Sequence, residues 1–458
     1  MMHFLEQLVA SFWNRLQWQE RGAWSERGSL DLGTKVSDGE PTGRHLSIGS
    51  VRRTMHIAVL GKTGSGKSSF LRHLAGQDVA AGRGFLYFDL HGDATPFLLK
   101  TINARERKER RHLSDRLILI DPTDSIVSVG FNPLEMDTPD FVRIAEVTEL
   151  MKRRWGLDHF GARTEELLRN SLFALAANRL TLVELALFLS NGAFRTACLR
   201  NIPNPDVRHY FEERYDQASE PMRATMREPV LNKLSTFTAD LKFRHILGQT
   251  QSTFSLLEAM DKGFWVIVNL EKGKLGEQAP TLGSLILSVA KNALFARKGR
   301  TLFSLYCDEI QNLVAYGTGI ETLLSEARKF GVGVVTANQF LDQYPADVRA
   351  AILSVGTQVF FQLTGQDALQ IAQVLDGGKP LVERLKNLPQ RHLIAKTGSD
   401  RFEEIRVPSV REPSVDPTDL VNRVRYTGGK VRAHIERDIR ARQAAFVKKP
   451  DEVLHGWE

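Results

Sequence analysis

The sequence predicts an α/β protein: a mostly parallel β-sheet covered by helices on both faces, interrupted by an all-helical insertion. Three observations predict it. Short runs of apolar and β-branched residues recur at His56–Leu60, Gly84–Asp89, Arg116–Asp121, Phe264–Leu270, Phe303–Asp308, Val332–Ala337 and Thr357–Leu363, and they are continuous rather than alternating. Strands buried on both faces read this way, because neither side of the pleat meets water. Between Leu134 and Met260 the strand rhythm stops and helix-like spacing replaces it, as at Thr164–Leu180 and Thr181–Leu189. Finally, the first strand run opens directly into a glycine-rich loop and then the helical run Ser69–Leu74, the strand-loop-helix order of a parallel sheet.

Taken along the chain, these patterns divide its 458 residues into segments. Residues 1–18 place Phe4, Leu5, Leu8, Val9, Phe12, Trp13 and Leu16 on one face of an amphipathic helix. Arg15 is its one Lys or Arg, which suits anionic lipid poorly, so docking on protein is the favoured reading over a membrane surface. Residues 19–53, rich in Gly, Ser, Thr and charge, read as a linker or loosely paired β segment. Residues 54–134 and 261–408 form the α/β domain around the insertion, 135–260. Residues 409–458 are a charged tail that opens on Pro413 and Pro417 and continues as a surface helix.

A hydrophobic content of 42% supports a large core, and the net charge of +7 suits a polyanionic partner without requiring one. Two cysteines, Cys198 and Cys307, are too few for a disulfide framework or a zinc site and point to a reducing compartment. The apolar stretch Ser284–Ala296 is interrupted by Lys291 and is shorter than the roughly 18 residues of a membrane span. The expectation is a cytoplasmic protein with no integral membrane span, with peripheral placement at an inner membrane as a further option.

The chemistry begins at Gly61-Lys62-Thr63-Gly64-Ser65-Gly66-Lys67-Ser68, which fits G-x-x-x-x-G-K-[ST] and is followed by Ser69 at the helix start. Glycines let the backbone wrap closely round phosphates, and the helix N-terminus favours their negative charge. Lys67 is placed to hold the β- and γ-phosphates, and Ser68 to ligate Mg²⁺. The implied cofactors are therefore ATP and Mg²⁺. Phe303–Cys307 runs into Asp308-Glu309 at a strand end, where ligands of a doubly wound sheet bind. Asp308 would hold the Mg²⁺ shell and Glu309 would act as general base on the attacking water, which points to hydrolysis.

Other residues leave alternatives open. Gln339, after the strand Val332–Ala337, is either a γ-phosphate sensor or a turn amide. Arg328 is either an arginine that reaches a neighbouring subunit's γ-phosphate or a solvated helix-face residue. Asp89 and His91 could touch the nucleotide network, or could simply build a turn. Lys100, Arg105, Arg107, Lys108, Arg110, Arg111 and Arg116 could follow a DNA backbone, although a solvated helix face is the favoured reading. No groove-reading motif is evident, so any DNA binding is expected to be sequence-independent.

With the acidic pair so far from the glycine-rich loop and a helical insertion between them, the chain resembles the HerA/FtsK superfamily, especially the coupling-protein ATPases of conjugation and type IV secretion. The resemblance runs through Asp89–Asp93, Leu231-Asn232-Lys233-Leu234, Thr253–Val268, Asp308-Glu309-Ile310-Gln311-Asn312, Glu326–Lys329 and Ala337-Asn338-Gln339. It implies a RecA-like P-loop NTPase domain with an all-α inserted domain, a hexameric homo-oligomer, and DNA in a central channel. By the same resemblance Lys67 and Ser68 are the phosphate and Mg²⁺ contacts, Asp308 and Glu309 the Walker B pair, Gln339 the sensor and Arg328 the trans-acting arginine. Lys272–Thr281 is then a channel-facing loop. Secretion-channel or relaxosome proteins are implied partners, although membrane-anchored coupling proteins have N-terminal spanning helices that this sequence lacks. A DNA translocase for conjugative or type IV transfer is the leading expectation. The alternatives are a HerA-like motor paired with a nuclease in end resection or phage defence, and a P-loop assembly or signalling ATPase that never touches DNA.

Overall fold

The computed structural model describes residues 28–135, 140–314, 319–344, 346–398 and 401–447. The amphipathic segment 1–18 and residues 448–458 of the tail lie outside the described residues.

One eleven-stranded sheet organises the molecule, in the order β2-β1-β12-β11-β10-β3-β9-β8-β4-β7-β5. Its parallel part comprises β10 (Thr357–Phe360), β3 (Ile57–Leu60), β9 (Val332–Asn338), β8 (Phe303–Cys307), β4 (Phe85–Asp89), β7 (Trp265–Asn269) and β5 (Leu117–Ile120). These are the seven apolar runs of the sequence. Every residue of β3, β4, β7, β8, β9 and β10 is buried, which is why their composition is continuous rather than alternating.

Alternate residues of each strand supply opposite cores, as the two-residue pleat requires. Phe85 and Tyr87 pack with Phe70, Leu74, Phe97 and Leu98 from helices Lys67–Ala81 and Ala94–Glu109. Leu86 and Phe88 face the other way, towards Leu282 and Ile286 of helix Ala279–Ala296. Burial of each such side chain contributes about 1.5–3 kcal/mol. That last helix, in the run Lys272–Ala296, is apolar and long enough to cross a membrane by composition, yet 61% of its most apolar window is buried inside the fold. It is a core helix. Beneath the sheet lies a buried ionic knot. Arg53 donates to both Asp78 oxygens at 2.8 and 2.7 Å, Arg83 Nε reaches Asp78 at 2.7 Å, and Tyr306 OH donates to it at 2.7 Å.

Beyond β10 the sheet continues antiparallel through β11 (His392–Lys396), β12 (Phe402–Arg406), β1 (Leu30–Ser37) and β2 (Glu40–Ile48). Within the segment read as linker or loose β, Leu30–Ile48 is thus a hairpin. Asp38 and Gly39 close it with φ of 52° and 86°, the positive pair of a tight type I′ turn. β2 is exposed along nearly its whole length and carries Pro41 and Arg44, which discourage further strand addition at this edge.

A short pair, β6 (Val127–Ser128) with β13 (Lys430–Val431), stands apart from the main sheet. Between β6 and β7 the described chain forms helices, including Phe141–Arg154, Gly161–Ala177, Glu220–Thr238 and Leu256–Lys262. The described part of the tail is mostly helical and docks on the body at two places. In helix Thr418–Gly428, Leu420 and Val424 are buried against the sheet-side core. In helix Arg432–Val447, Ile435 and Ile439 are buried with Val183 of the helical region. Arg442 Nη2 donates to the fully buried Glu184 at 2.8 Å and to Gly248 O at 2.8 Å.

Candidate functional site

In a parallel sheet all strands deliver their carboxyl ends to one edge, and the crevice there is where ligands bind. β3, β9, β8 and β4 are neighbours. The residues following them are therefore brought together although the sequence scatters them: Gly61–Ser68, Gln339, Asp308-Glu309 and His91.

The loop after β3 is tied to both flanking strands. Gly61 N–H donates to Asn338 O at 3.3 Å and Lys62 N–H to Gln362 O at 2.9 Å. At its end Gly66 has φ 118°, a conformation that side chains resist, and a Cβ there would stand 3.3 Å from the Arg391 backbone and the Phe361 ring. Ser65 is buried; Lys62 and Ser69 are half-buried; Thr63 and Gly64 are exposed at the loop apex. Arg72 reaches the Ser69 hydroxyl at 3.4 Å. Lys67 is buried, and its ammonium donates to Gly61 O at 2.5 Å and Lys62 O at 3.2 Å. Burial lowers its pKa, opposed by the charges of Asp308 and Glu309.

Ser68 Oγ donates to Asp308 Oδ2 at 3.2 Å. Asp308 is 3% exposed, and burial pushes its carboxyl up to about 6 against the charge of His91. Glu309 has φ 52°, a left-handed conformation uncommon for a residue with a side chain, directly after β8 and Asp308. Gln339 Nε2 donates to Glu309 Oε1 at 2.8 Å, Gln311 Nε2 donates to Glu309 Oε2, and His91 Nε2 lies 3.9 Å from Oε1. Burial alone would raise this carboxyl; the nearby His91 and the hydrogen bonds from Gln339 and Gln311 outweigh it and hold the group below the usual range. The Gln339 amide also accepts from Thr63 Oγ1 at 3.0 Å, so it bridges loop and carboxylate.

Other sequence candidates stand elsewhere. Asp89 accepts from Gly92 N–H at 2.9 Å and from Thr95 N–H and Oγ1 at 2.7 Å, so it builds the turn, whereas His91 reaches the acidic pair. Arg328 is exposed in the turn Ala327–Phe330, before β9, at the sheet edge opposite to its own chain's Gln339. Much of the basic run is engaged within the chain. Arg105 and Arg116 lie 5.7 and 4.8 Å over the Trp265 ring, and Lys100 pairs with Glu412 at 2.6 Å. Lys272–Thr281 includes the short helix Lys272–Leu275, whose Lys272 and Lys274 are exposed and pair with Glu277 and Glu271.

Two contacts were not legible. Arg391, with φ 65°, donates its N–H to Ser65 O at 3.0 Å and braces the loop from a distant turn. Gln311 belongs to a quoted motif, but nothing in its spacing assigns it to Glu309.

Among solved structures, the chain is similar to the bacterial conjugative coupling protein TrwB lacking its first 70 residues, at 17% identity and a TM-score of 0.56, covering 84% of this chain and 92% of that one. TrwB bound to the GTP analogue GDPNP is similar at 16% identity and a TM-score of 0.58, covering 85% and 97%. VirB4 of Thermoanaerobacter pseudethanolicus follows at 14% identity and a TM-score of 0.53, covering 84% and 97%. At these identities the likeness establishes the RecA-like P-loop fold. No curated protein matches the sequence. Residues 46–279, half of the chain, match the family model described as the central domain of the helicase HerA. The chain belongs to that family, and it is a P-loop ATPase.

Proposed function

We propose that the chain is a ring-forming motor, a hexamer as its resemblance to the HerA/FtsK superfamily implies, that hydrolyses ATP to move DNA without regard to base sequence. The observation that carries this reading is the convergence of Lys67, Ser68, Asp308, Glu309 and Gln339 at adjoining strand ends. The residues fit Mg²⁺-ATP. Gly66 leaves room that a Cβ would fill, and Ser68 and Asp308 offer two hard oxygen ligands 3.2 Å apart. A magnesium ion takes most of its shell from water and phosphate, so two protein oxygens suffice, and the described residues include no cluster of three or more acidic, His or Cys ligands. Bound Mg²⁺ would neutralise charge on the phosphates.

Each residue then has a role. Lys67 exchanges its loop carbonyls for β- and γ-phosphate oxygens, and Gly61–Ser69 wrap the phosphates. Glu309, kept ionised by its hydrogen bonds, accepts the proton of the attacking water. Gln339, already linked to Thr63 and Glu309, senses whether the γ-phosphate is present. Arg328, directed away from its own site, reaches that of the next subunit. Residues 54–134 and 261–408 form the motor domain, and 135–260 the insertion. Lys272 and Lys274 on the β7 loop, with the net charge of +7, are the DNA-facing elements.

Transfer of DNA in conjugation or type IV secretion, with relaxosome or channel proteins as partners at the cytoplasmic face of a membrane, is supported by the likeness to TrwB and VirB4. TrwB itself has been seen with ADP and Mg²⁺. The family match favours a second reading, a HerA-like motor serving a nuclease. Turnover measured with and without long duplex DNA, alongside particle mass with nucleotide, tests the proposal. DNA stimulation in a hexamer-sized particle is expected. ATPase activity indifferent to DNA would favour a protein-assembly ATPase instead.

A further inference from the structure

Glu309 is held at both oxygens, and only one of its holders belongs to the nucleotide side. Gln339 takes Oε1 and is itself tied to Thr63 of the phosphate loop. Gln311, from the turn after Glu309, takes Oε2. An ionised carboxylate only accepts, so Gln311 must present its NH₂ to it. The amide oxygen is thereby forced away, and Gln311 Oε1 is buried without a donor among the described residues.

Gln311 sits in the single turn Ile310–Asn312, and that turn is anchored from outside the strand. Arg154, at the end of helix Phe141–Arg154 in the insertion, donates from Nη2 to Asn312 O at 2.9 Å. Ser284 Oγ of helix Ala279–Ala296 donates to the next carbonyl, Leu313 O, at 2.6 Å. Asn312 N–H closes the turn onto Glu309 O at 2.9 Å. A displacement of the insertion therefore reaches Gln311 through the Arg154 side chain and the main chain of the turn, and reaches Glu309 through one side-chain hydrogen bond.

We infer that Gln311 is a positioning residue for Glu309, and that its turn, tied to the helical insertion by Arg154, lets the insertion set whether the carboxylate is aimed for hydrolysis. This rests on Glu309 as general base. Gln311 donates one hydrogen bond and exchanges no proton. Rotation of the turn away from β8 releases Oε2 and leaves Gln339 as the remaining side-chain hydrogen-bond donor to Glu309, with His91 3.9 Å away.

The test compares Gln311→Met, which keeps volume and removes the donor, with Gln311→His, which keeps a donor, in the full chain with MgATP. Turnover, equilibrium MgATP affinity and melting temperature are measured for both, and for Glu309→Gln. Loss of a hydrogen bond to a charged group corresponds to about a ten-fold fall in kcat for Gln311→Met. Affinity should stay within about two-fold of wild type, and Gln311→His should recover most of the turnover. Arg154→Met should lower kcat in the same direction, because it loosens the turn. If Glu309→Gln abolishes turnover while Gln311→Met turns over like wild type, the inference is overturned and the base assignment stands. If Glu309→Gln itself turns over normally, the base assignment fails first. A kcat order that follows melting temperature rather than donor capacity also overturns it, since Gln311 would then be structural only.

Discussion

Ser68 and Asp308 lie 240 positions apart in the chain, yet the Ser68 hydroxyl donates to Asp308 Oδ2 across 3.2 Å. Helix Lys67–Ala81 presents Ser68 on its first turn, β8 presents Asp308 at its carboxyl end, and β9 between them adds Gln339. Three consecutive strand ends thus build one site, and several of its properties can be measured.

The glycine at the end of the phosphate loop is expected to be intolerant. Gly66→Ala combines φ 118° with 3.3 Å contacts to the Arg391 backbone and the Phe361 ring. Calorimetric titration should show MgATP affinity weakened by about ten-fold or more, and unfolding a loss of about 1–2 kcal/mol. Wild-type affinity would mean that the loop does not have to hold this shape.

The ionic knot beneath the sheet makes a prediction about stability alone. Asp78→Ala removes the acceptor for Arg53, Arg83 and Tyr306, and leaves the guanidinium of Arg53, 3% exposed, without its carboxylate. Removing one partner of a buried ion pair costs about 3–5 kcal/mol, so denaturant unfolding should shift by that amount. A shift below about 1 kcal/mol would show that water or rearrangement compensates.

His56 predicts an acid-sensitive fold. It accepts a hydrogen bond from Val334 N–H at Nδ1, 3.0 Å, which needs that nitrogen unprotonated. Burial, with the Arg328 charge adding to it against the Leu324 backbone, lowers its pKa from 6.5 to about 4. Between those values the folded protein keeps the ring neutral while the unfolded chain binds a proton. Stability from this group is therefore complete above about pH 6.5 and is lost as the pH falls towards 4, by about 3 kcal/mol. Asparagine accepts the same hydrogen bond and tolerates the φ of 69° found here, so His56→Asn should flatten the stability curve across that range. An unchanged slope would assign the acid sensitivity to other groups.

Arg328 can be examined by mixing subunits. It stands before β9, whereas the site lies after it, so any catalytic contact must be with another copy. Arg328→Ala mixed with wild type should depress turnover more steeply than dilution predicts. A straight dilution line would leave Arg328 a surface residue.

Much of this architecture was legible because burial on both faces leaves a strong mark. The seven parallel strands were read from runs such as Trp265–Asn269 that contain no solvent face. β12 was missed because the partly exposed Glu403 and Glu404 leave Phe402–Arg406 little apolar signal, and β11 because only Leu393, Ile394 and Ala395 of His392–Lys396 are apolar. The β1–β2 hairpin had its signal in Asp38-Gly39, a turn pair outweighed by the polar composition around it. Docking of the tail could have been read from Leu420 and Val424, and from Ile435 and Ile439, each pair four residues apart on one helical face. The loop and acidic pair were legible as motifs. The brace from Arg391 and the clamp by Gln311 were not, since both depend on where distant turns meet.

The central claim is that Lys67 and Glu309 act on one bound nucleotide, and equilibrium MgATP binding measured beside turnover addresses it most directly. Glu309→Gln should bind MgATP with wild-type affinity while turnover falls by about 100-fold or more, and Lys67→Ala should lose both. Unimpaired hydrolysis by either variant would contradict a shared site at the ends of β3 and β8.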